Sequence, residues 1–276
     1  MNEKPFDNRP IGVFDSGVGG LTVLDHIVQL LPGESTVYLG DTARVPYGTR
    51  SADTVIRYSL ECAQALVARA GVKVLVVACN TASAVALPLL SSTFSVPVIG
   101  VIEAGARAAL EVSRGGAIAI LATAGTIRSG AYLSALRRLG AECEVIGRAC
   151  PLLVPLVEEG WVDGVVPMLT LDRYISDLVG RADVIVLGCT HYPRMRRLLR
   201  QLLPAAVAVV DGGVATATQL QAVLSEQGLL AQPGRVPNHR IWVTDAVEAM
   251  VRMAPDFLRI DMGEVNIEHV EIAAHG

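Results

Sequence analysis

Two cysteines of this chain, Cys79 and Cys189, close a pair of matching apolar runs. The segment Val74-Leu75-Val76-Val77-Ala78-Cys79-Asn80-Thr81 lines up without a gap on Val184-Ile185-Val186-Leu187-Gly188-Cys189-Thr190-His191. Each run has the composition of a parallel strand buried on both faces, and ligands of open α/β sheets sit outside the carboxyl ends of the strands. A thiol at such an end, leading into a helix N-terminus, meets unpaired N–H groups and a positive dipole end that favour the thiolate. Without that help only about 3% of an ordinary thiol would be ionised at pH 7. The alternative for each cysteine is a small buried hydrophobe, and the echo between the two runs weighs against it.

Other polar strand ends accompany the thiols. Asp15-Ser16-Gly17-Val18-Gly19-Gly20 suggests a tight turn whose backbone N–H groups face an anion. It is no nucleotide loop: Thr22 stands where a dinucleotide fingerprint has its third glycine, and Val18 where a P-loop has lysine. A carboxylate suits it better. Asp15 could bind a substrate ammonium group, orient a thiol, or cap the following helix. The loop ending in Pro46, Tyr47 and Gly48 could fold over a ligand, and Thr123 and Thr126 follow another strand. Of five histidines, His191 stands at a strand end, whereas His26, His239, His269 and His275 fall in helical, loop or tail settings. Cys62, Cys143 and Cys150 read as core residues.

Asp15, Cys79, Cys189 and His191 are ligand types that suit zinc, yet no CxxC or HxxxH anchor accompanies them, and no metal is expected. A Cys–His nucleophile would leave the second thiol without a role. Two thiols facing one cleft suit a different task, removing a proton from one face of a carbon and returning one to the other. The α-hydrogen of an amino acid is so weakly acidic that this needs a positioned base, a positioned acid and a polar site. One thiol must be ionised while the other keeps its proton, and Asp15 and His191 are the natural tuners. Pyridoxal phosphate would need a lysine at a strand end, and the two lysines, Lys4 and Lys73, are not at one; no cofactor is expected. The alternative from another class is an amino-acid-binding or regulatory protein without turnover.

Such residues need a scaffold of alternating strands and helices. Short apolar runs place strands at 11–14, 36–39, 72–78, 96–101, 117–121, 184–187, 206–210 and 241–243. Helices fit between them. One spans 21–31, with Leu21, Leu24, Ile27, Val28 and Leu31 on one face and Pro32 as its stop; 51–70 and 126–139 each end before a glycine suited to the left-handed position, Gly71 and Gly140. The fold class is α/β, built from two related units. At 276 residues and 51% apolar content the chain suffices for one large or two modest domains.

The uncharged stretch 74–102 invites a membrane reading, but Asn80, Pro88 and Pro97 interrupt it. A spanning helix wants about 20 mainly apolar residues, so the stretch reads as buried core. Residues 1–9 are polar and charged, without a signal-peptide pattern, and five cysteines point to free thiols in a cytoplasmic protein. A net charge of −4 and 4% aromatic residues argue against a nucleic-acid surface. The basic run 194–200 alternates with leucines as a solvated helix face would.

Taken together, residues 14–21, Pro46-Tyr47-Gly48, Cys79-Asn80-Thr81, 123–126 and Gly188-Cys189-Thr190-His191-Tyr192-Pro193 resemble the cofactor-independent Asp/Glu racemase family, glutamate racemases above all. The resemblance runs in order through nearly the whole chain. It implies two pseudo-symmetric lobes, each a mainly parallel sheet flanked by helices, made of 1–102 plus 211–276 and of 103–210, with the active site between them. It also implies a small-molecule substrate, L- or D-glutamate, interconverted for peptidoglycan by a homodimer. By the same resemblance Cys79 takes the proton from D-glutamate with Asp15 assisting, and Cys189 takes it from L-glutamate with His191 assisting. Glu158 would lie near the second thiol, with a surface carboxylate as the less favoured alternative that its helical setting leaves open. Asp15, Ser16, Pro46, Tyr47, Gly48, Asn80, Thr81, Thr123, Thr126, Thr190 and His191 would bind substrate. A related two-thiol racemase acting on aspartate or another substrate is the rival.

Overall fold

The computed structural model describes residues 6–260 and 265–272. Its strands are β1 (Ile11–Asp15), β2 (Thr36–Gly40), β3 (Val74–Val77), β4 (Val98–Gly100), β5 (Ala117–Ala122), β6 (Val145–Ala149), β7 (Ala182–Gly188), β8 (Ala208–Asp211), β9 (His239–Val243) and β10 (Asn266–His269). They form two sheets, ordered β10-β9-β2-β1-β3-β4 and β6-β5-β7-β8. Every pairing in both is parallel. Parallel sheets are covered by helices on both faces, which is why β1 to β3 and β5 are continuous buried runs without polar alternation.

The order β2-β1-β3-β4 in the first sheet recurs as β6-β5-β7-β8 in the second. In both, the strand order reverses direction between the first and third strands of the set, and the loops on either side of such a reversal part to leave a crevice. Asp15 ends β1 and Cys79 follows β3; Thr123 follows β5 and Cys189 follows β7. The echo between 74–81 and 184–191 is thus the third strand of each set. Both thiols come to a switch point because their strands occupy equivalent places.

The chain crosses from the first sheet to the second through helix Val101–Val112 and returns through helix Gly213–Glu226, and these two helices pack on each other. One cluster of buried apolar side chains runs from Ile11 and Val76 of the first sheet to Ala119 and Leu187 of the second, so the halves share a core. Separate clusters lie under the outer faces, one around Phe14 and Leu75 and one around Ile120 and Val186. Each fully buried side chain of this kind contributes about 1.5–3 kcal/mol of transfer free energy.

The uncharged stretch 74–102 forms β3, helix Asn80–Thr93, β4 and the start of helix Val101–Val112. Among the described residues no helix is long and apolar enough to cross a membrane. Helix Ala52–Ala70 is capped by the Ser51 side chain and ends at Gly71 with φ +60°. The single helix expected at 126–139 is two, Ala124–Ser129 and Ala131–Arg138, because Gly130 at φ +66° breaks it. Strands β6 and β10 escaped the strand assignment: β6 carries Gly147 and Arg148 and is only half-buried, and β10 is a partly exposed edge. His275 and Lys4 lie outside the described residues.

Candidate active site

A cavity of about 280 Å³ opens between the carboxyl ends of the two sheets. It is lined by twelve of the fourteen residues singled out in sequence: Ser16, Pro46, Tyr47, Gly48, Cys79, Asn80, Thr81, Thr123, Glu158, Cys189, Thr190 and His191. Cys79 caps the amino end of helix Asn80–Thr93, and Cys189 follows the last residue of β7. Both thiols are free and nearly buried, so they meet the cavity and little bulk water. The Cys79 sulfur lies 3.8 Å from the Ser16 hydroxyl, and the Cys189 sulfur 3.9 Å from Nδ1 of His191. The other imidazole nitrogen of His191, Nε2, faces Oε1 of Glu158 at 3.1 Å.

The two remaining residues stand behind the wall. Asp15 is fully buried, accepts from the Gly17 N–H at 2.9 Å, and accepts from the Thr190 hydroxyl of the second sheet at 3.3 Å. The N–H of Gly17 therefore serves the chain's own carboxylate instead of an external anion, and helix Leu21–Leu30 begins at Gly20 without a side-chain cap. Gly19 has a steric reason: a Cβ there would lie 2.4 Å from Nδ1 of His191 and 2.5 Å from the Thr190 hydroxyl. Thr126 joins Thr123 at 3.0 Å and Thr81 at 3.3 Å, while Thr81 and Thr123 meet at 2.9 Å. These hydroxyls bridge the sheets on the far side of the cavity, where Gly48 lets the 47–49 turn approach Thr123.

A family model described as Asp/Glu/Hydantoin racemase matches residues 11–220. The chain belongs to the Asp/Glu/Hydantoin racemase family. A glutamate racemase from Geobacter metallireducens is 50% identical over 258 residues, covering 93% of this chain and 95% of that protein. Among solved structures, a glutamate racemase isoform from Bacillus anthracis superposes with a TM-score of 0.89 at 37% identity, covering 95% of this chain and 97% of that one. The Francisella tularensis glutamate racemase in complex with D-glutamate gives a TM-score of 0.88 at 35% identity over 96% of this chain and 98% of that one.

The two thiols of this racemase sit in unlike electrostatic settings. Burial, and then the charge of Asp15, push the Cys79 thiol up to about 12, while the backbone of Ala82 and the Ser16 hydroxyl pull the other way. On the opposite wall, burial opposes the His191 imidazolium, but the hydrogen bonds and charges of Cys189 and Glu158 outweigh it and raise His191 to about 10. A cation at His191 lies beside the Cys189 sulfur, whereas Cys79 has a carboxylate behind it that favours the protonated thiol. Burial also raises Asp15, against the pull of His191 and the Gly17 and Gly20 backbone. The arrangement sets two free thiols, with an imidazole beside one and a carboxylate behind the other, on the walls of one cavity.

Tyr47 lines the cavity without turning its hydroxyl into it. Its hydroxyl donates to the buried carboxylate of Asp41, so its tip is turned into the protein. Lys73 lies at the amino end of β3 and is tied to Glu34 at 2.5 Å and to the Asp7 carbonyl at 2.7 Å, far from the strand ends where a Schiff base would be useful. Among the described residues no group of three His, Cys, Asp or Glu side chains is placed to hold a metal. Cys62 and Cys150 are buried and Cys143 half-buried. Sequence reasoning passed over Thr49, Pro151, Val154 and Pro155, which also line the cavity. For Pro151 a signal existed: it follows the carboxyl end of β6 closely, as Cys79 follows β3.

Proposed function

We propose that this racemase interconverts L- and D-glutamate by a two-thiol route. The observation that carries the reading is that Cys79 and Cys189, from equivalent strands of two sheets, line one cavity with opposite electrostatic settings. The relatives named above are glutamate racemases, and one of them is described with D-glutamate bound.

In the L-to-D direction the Cys189 thiolate, paired with the His191 imidazolium, takes the α-proton. Two electrons remain on Cα, delocalised into the carboxylate, and the Cys79 thiol delivers its proton to the other face. The products are D-glutamate, a Cys79 thiolate and a Cys189 thiol; the D-to-L direction runs the same steps in reverse. Among the described residues no arginine or lysine lines the cavity, so the substrate carboxylates are held by neutral donors: the Ser16, Thr81 and Thr123 hydroxyls, the Asn80 amide and backbone N–H groups. The lobes that close on the substrate are 1–102 plus 211–276 and 103–210. The reading extends to supplying D-glutamate for peptidoglycan by a cytoplasmic homodimer, as the sequence resemblance implies.

Incubating the protein with L-glutamate in deuterium oxide tests the reading. D-glutamate with deuterium at Cα is expected, and Cys79→Ala and Cys189→Ala should each abolish turnover. Absence of exchange, or undiminished exchange in both directions after Cys79→Ala, would overturn it. A panel including aspartate decides the side-chain length accepted, and glutamate binding that survives loss of both thiols without turnover in the unaltered protein would favour a binding role.

A further inference from the structure

Tyr132 lies in helix Ala131–Arg138, a stretch that carries none of the motifs, and is almost fully buried. Its hydroxyl donates to Oδ1 of Asn80 at 2.7 Å. Its ring lies against Gly188, where a Cβ would meet Cε2 at 3.0 Å, and Gly105 leaves room for the hydroxyl, since a Cβ there would come within 3.1 Å of it. Asn80 directly follows Cys79, and Gly188 directly precedes Cys189. One side chain thus touches the neighbours of both thiols across the cleft.

We propose that Tyr132 is a positioning residue that fixes the Asn80 amide with its NH₂ group toward the cavity and holds the two thiol-bearing strand ends in register. The proposal rests on reading the site as that of a glutamate racemase. An asparagine amide has a donor end and an acceptor end of the same shape. With Oδ1 engaged by Tyr132, Nδ2 is left for the cavity that Asn80 lines, and among the described residues no protein acceptor engages it. In a cavity that no arginine or lysine lines among the described residues, that orientation matters, because a flipped amide would turn a carbonyl oxygen toward a substrate carboxylate. Tyr132 also remains a donor: burial, and then the charges of Asp211 and Cys189, raise its hydroxyl far above the physiological range.

Tyr132→Phe deletes only the hydroxyl, and Gly105→Ala crowds it without deleting anything. The Phe variant is expected to raise KM for both enantiomers about tenfold, the value of one hydrogen bond to a charged group, with kcat changed far less. In an Asn80→Ala background the same change should add nothing, since residues acting through one another are non-additive. The second readout is independent of activity: ¹⁵N relaxation of the Asn80 side-chain amide, identified by its loss in Asn80→Ala. That amide should be rigid in the unaltered protein and mobile in Tyr132→Phe and Gly105→Ala. Additive effects in the cycle, or an amide equally rigid in both variants, would overturn the positioning role. If the unaltered protein does not racemise glutamate while the amide still loosens, the functional reading falls and the positioning role stands.

Discussion

Nε2 of His191 lies 3.1 Å from a carboxylate oxygen of Glu158, 33 positions earlier in the chain. The contact makes Glu158 part of a line that ends at the Cys189 sulfur, and it distinguishes this carboxylate from a surface one. Glu158→Gln keeps the shape and removes the charge. Because two enantiomers have equal free energies, kcat/KM must fall equally in both directions, by about tenfold to a hundredfold if the histidine supplies typical acid–base assistance. The alkaline limb of the pH profile should also move toward lower pH, since Glu158 is one of the groups holding His191 at about 10. An unmoved limb would show that Glu158 does not act through His191.

The same pair predicts how stability depends on pH. His191 titrates at about 10 in the folded chain against an ordinary value of 6.5, so the folded state binds more protons between those values. Stability from this source is fully present below about 6.5 and is lost as the pH rises through about 10. Cys79, raised to about 12, acts with the same sign at still higher pH. Thermal unfolding followed from pH 6.5 to 10 should show Tm falling in the unaltered protein, and falling less steeply in His191→Asn. Parallel curves for the two proteins would remove His191 as the cause.

Asp15 stands behind Cys79 with its charge directed at the thiol, and that charge is the second-largest reason the thiol is raised. Asp15→Asn keeps an oxygen for the Gly17 N–H. Lowering the thiol toward its ordinary range should increase its thiolate fraction at pH 9, so iodoacetamide should label Cys79 faster in the variant, as read by peptide mapping. Racemisation should slow in the same variant, because a Cys79 thiolate of lower basicity takes the α-proton of D-glutamate less readily, and the equal free energies of the two enantiomers carry that loss into both directions. Unchanged labelling of Cys79 would show that Asp15 does not set its protonation.

Much of this site was legible in the sequence for one physical reason. Parallel strands buried on both faces read as unbroken apolar runs, so the first polar residue after each run marks the carboxyl end where ligands gather. Asp15, Cys79, Thr123 and Cys189 all carry that mark. What could not be read is contact between segments: Tyr132 meets Asn80 across 52 positions, and neither carries a local signal of it. The glycine loop misled in part, because its type announces a close approach without saying to what. Gly17 gives its N–H to Asp15, and Gly19 makes room for His191. Strand β6 was hidden by Gly147 and Arg148, which break the apolar run on an edge where burial is not required.

Tyr47 separates a backbone role from a side-chain one. Its hydroxyl is bound to Asp41, a fully buried carboxylate that also accepts from Arg44 at 2.7 Å and from the Thr244 hydroxyl at 2.9 Å. Tyr47→Phe should therefore leave kcat and KM nearly unchanged and cost about 1 kcal/mol of stability, the net value of one hydrogen bond. Asp41→Ala leaves buried partners unsatisfied and should cost about 3–5 kcal/mol. Urea unfolding measures both. A large rise in KM for the Phe variant without loss of stability would instead place the Tyr47 hydroxyl on the substrate.

Gly19 offers the sharpest steric test of the contact between the two halves. The residue is not at positive φ, so alanine can adopt its backbone conformation and any effect must come from the added methyl. That methyl would sit 2.4 Å from Nδ1 of His191, far inside contact distance. The imidazole, held on its other side by Glu158, must move away from Gly19 and from its alignment with the Cys189 sulfur. Overpacking of this kind costs about 1–3 kcal/mol, and a shift of about 1 Å in a reacting group costs about a hundredfold in rate. Gly19→Ala is therefore expected to keep its fold, with a modest drop in Tm, and to lose about a hundredfold in kcat/KM. Gly33→Ala is the control, since nothing lies within 4 Å of a Cβ there. Full activity in Gly19→Ala would mean that His191 has freedom of movement that the packed interface does not show.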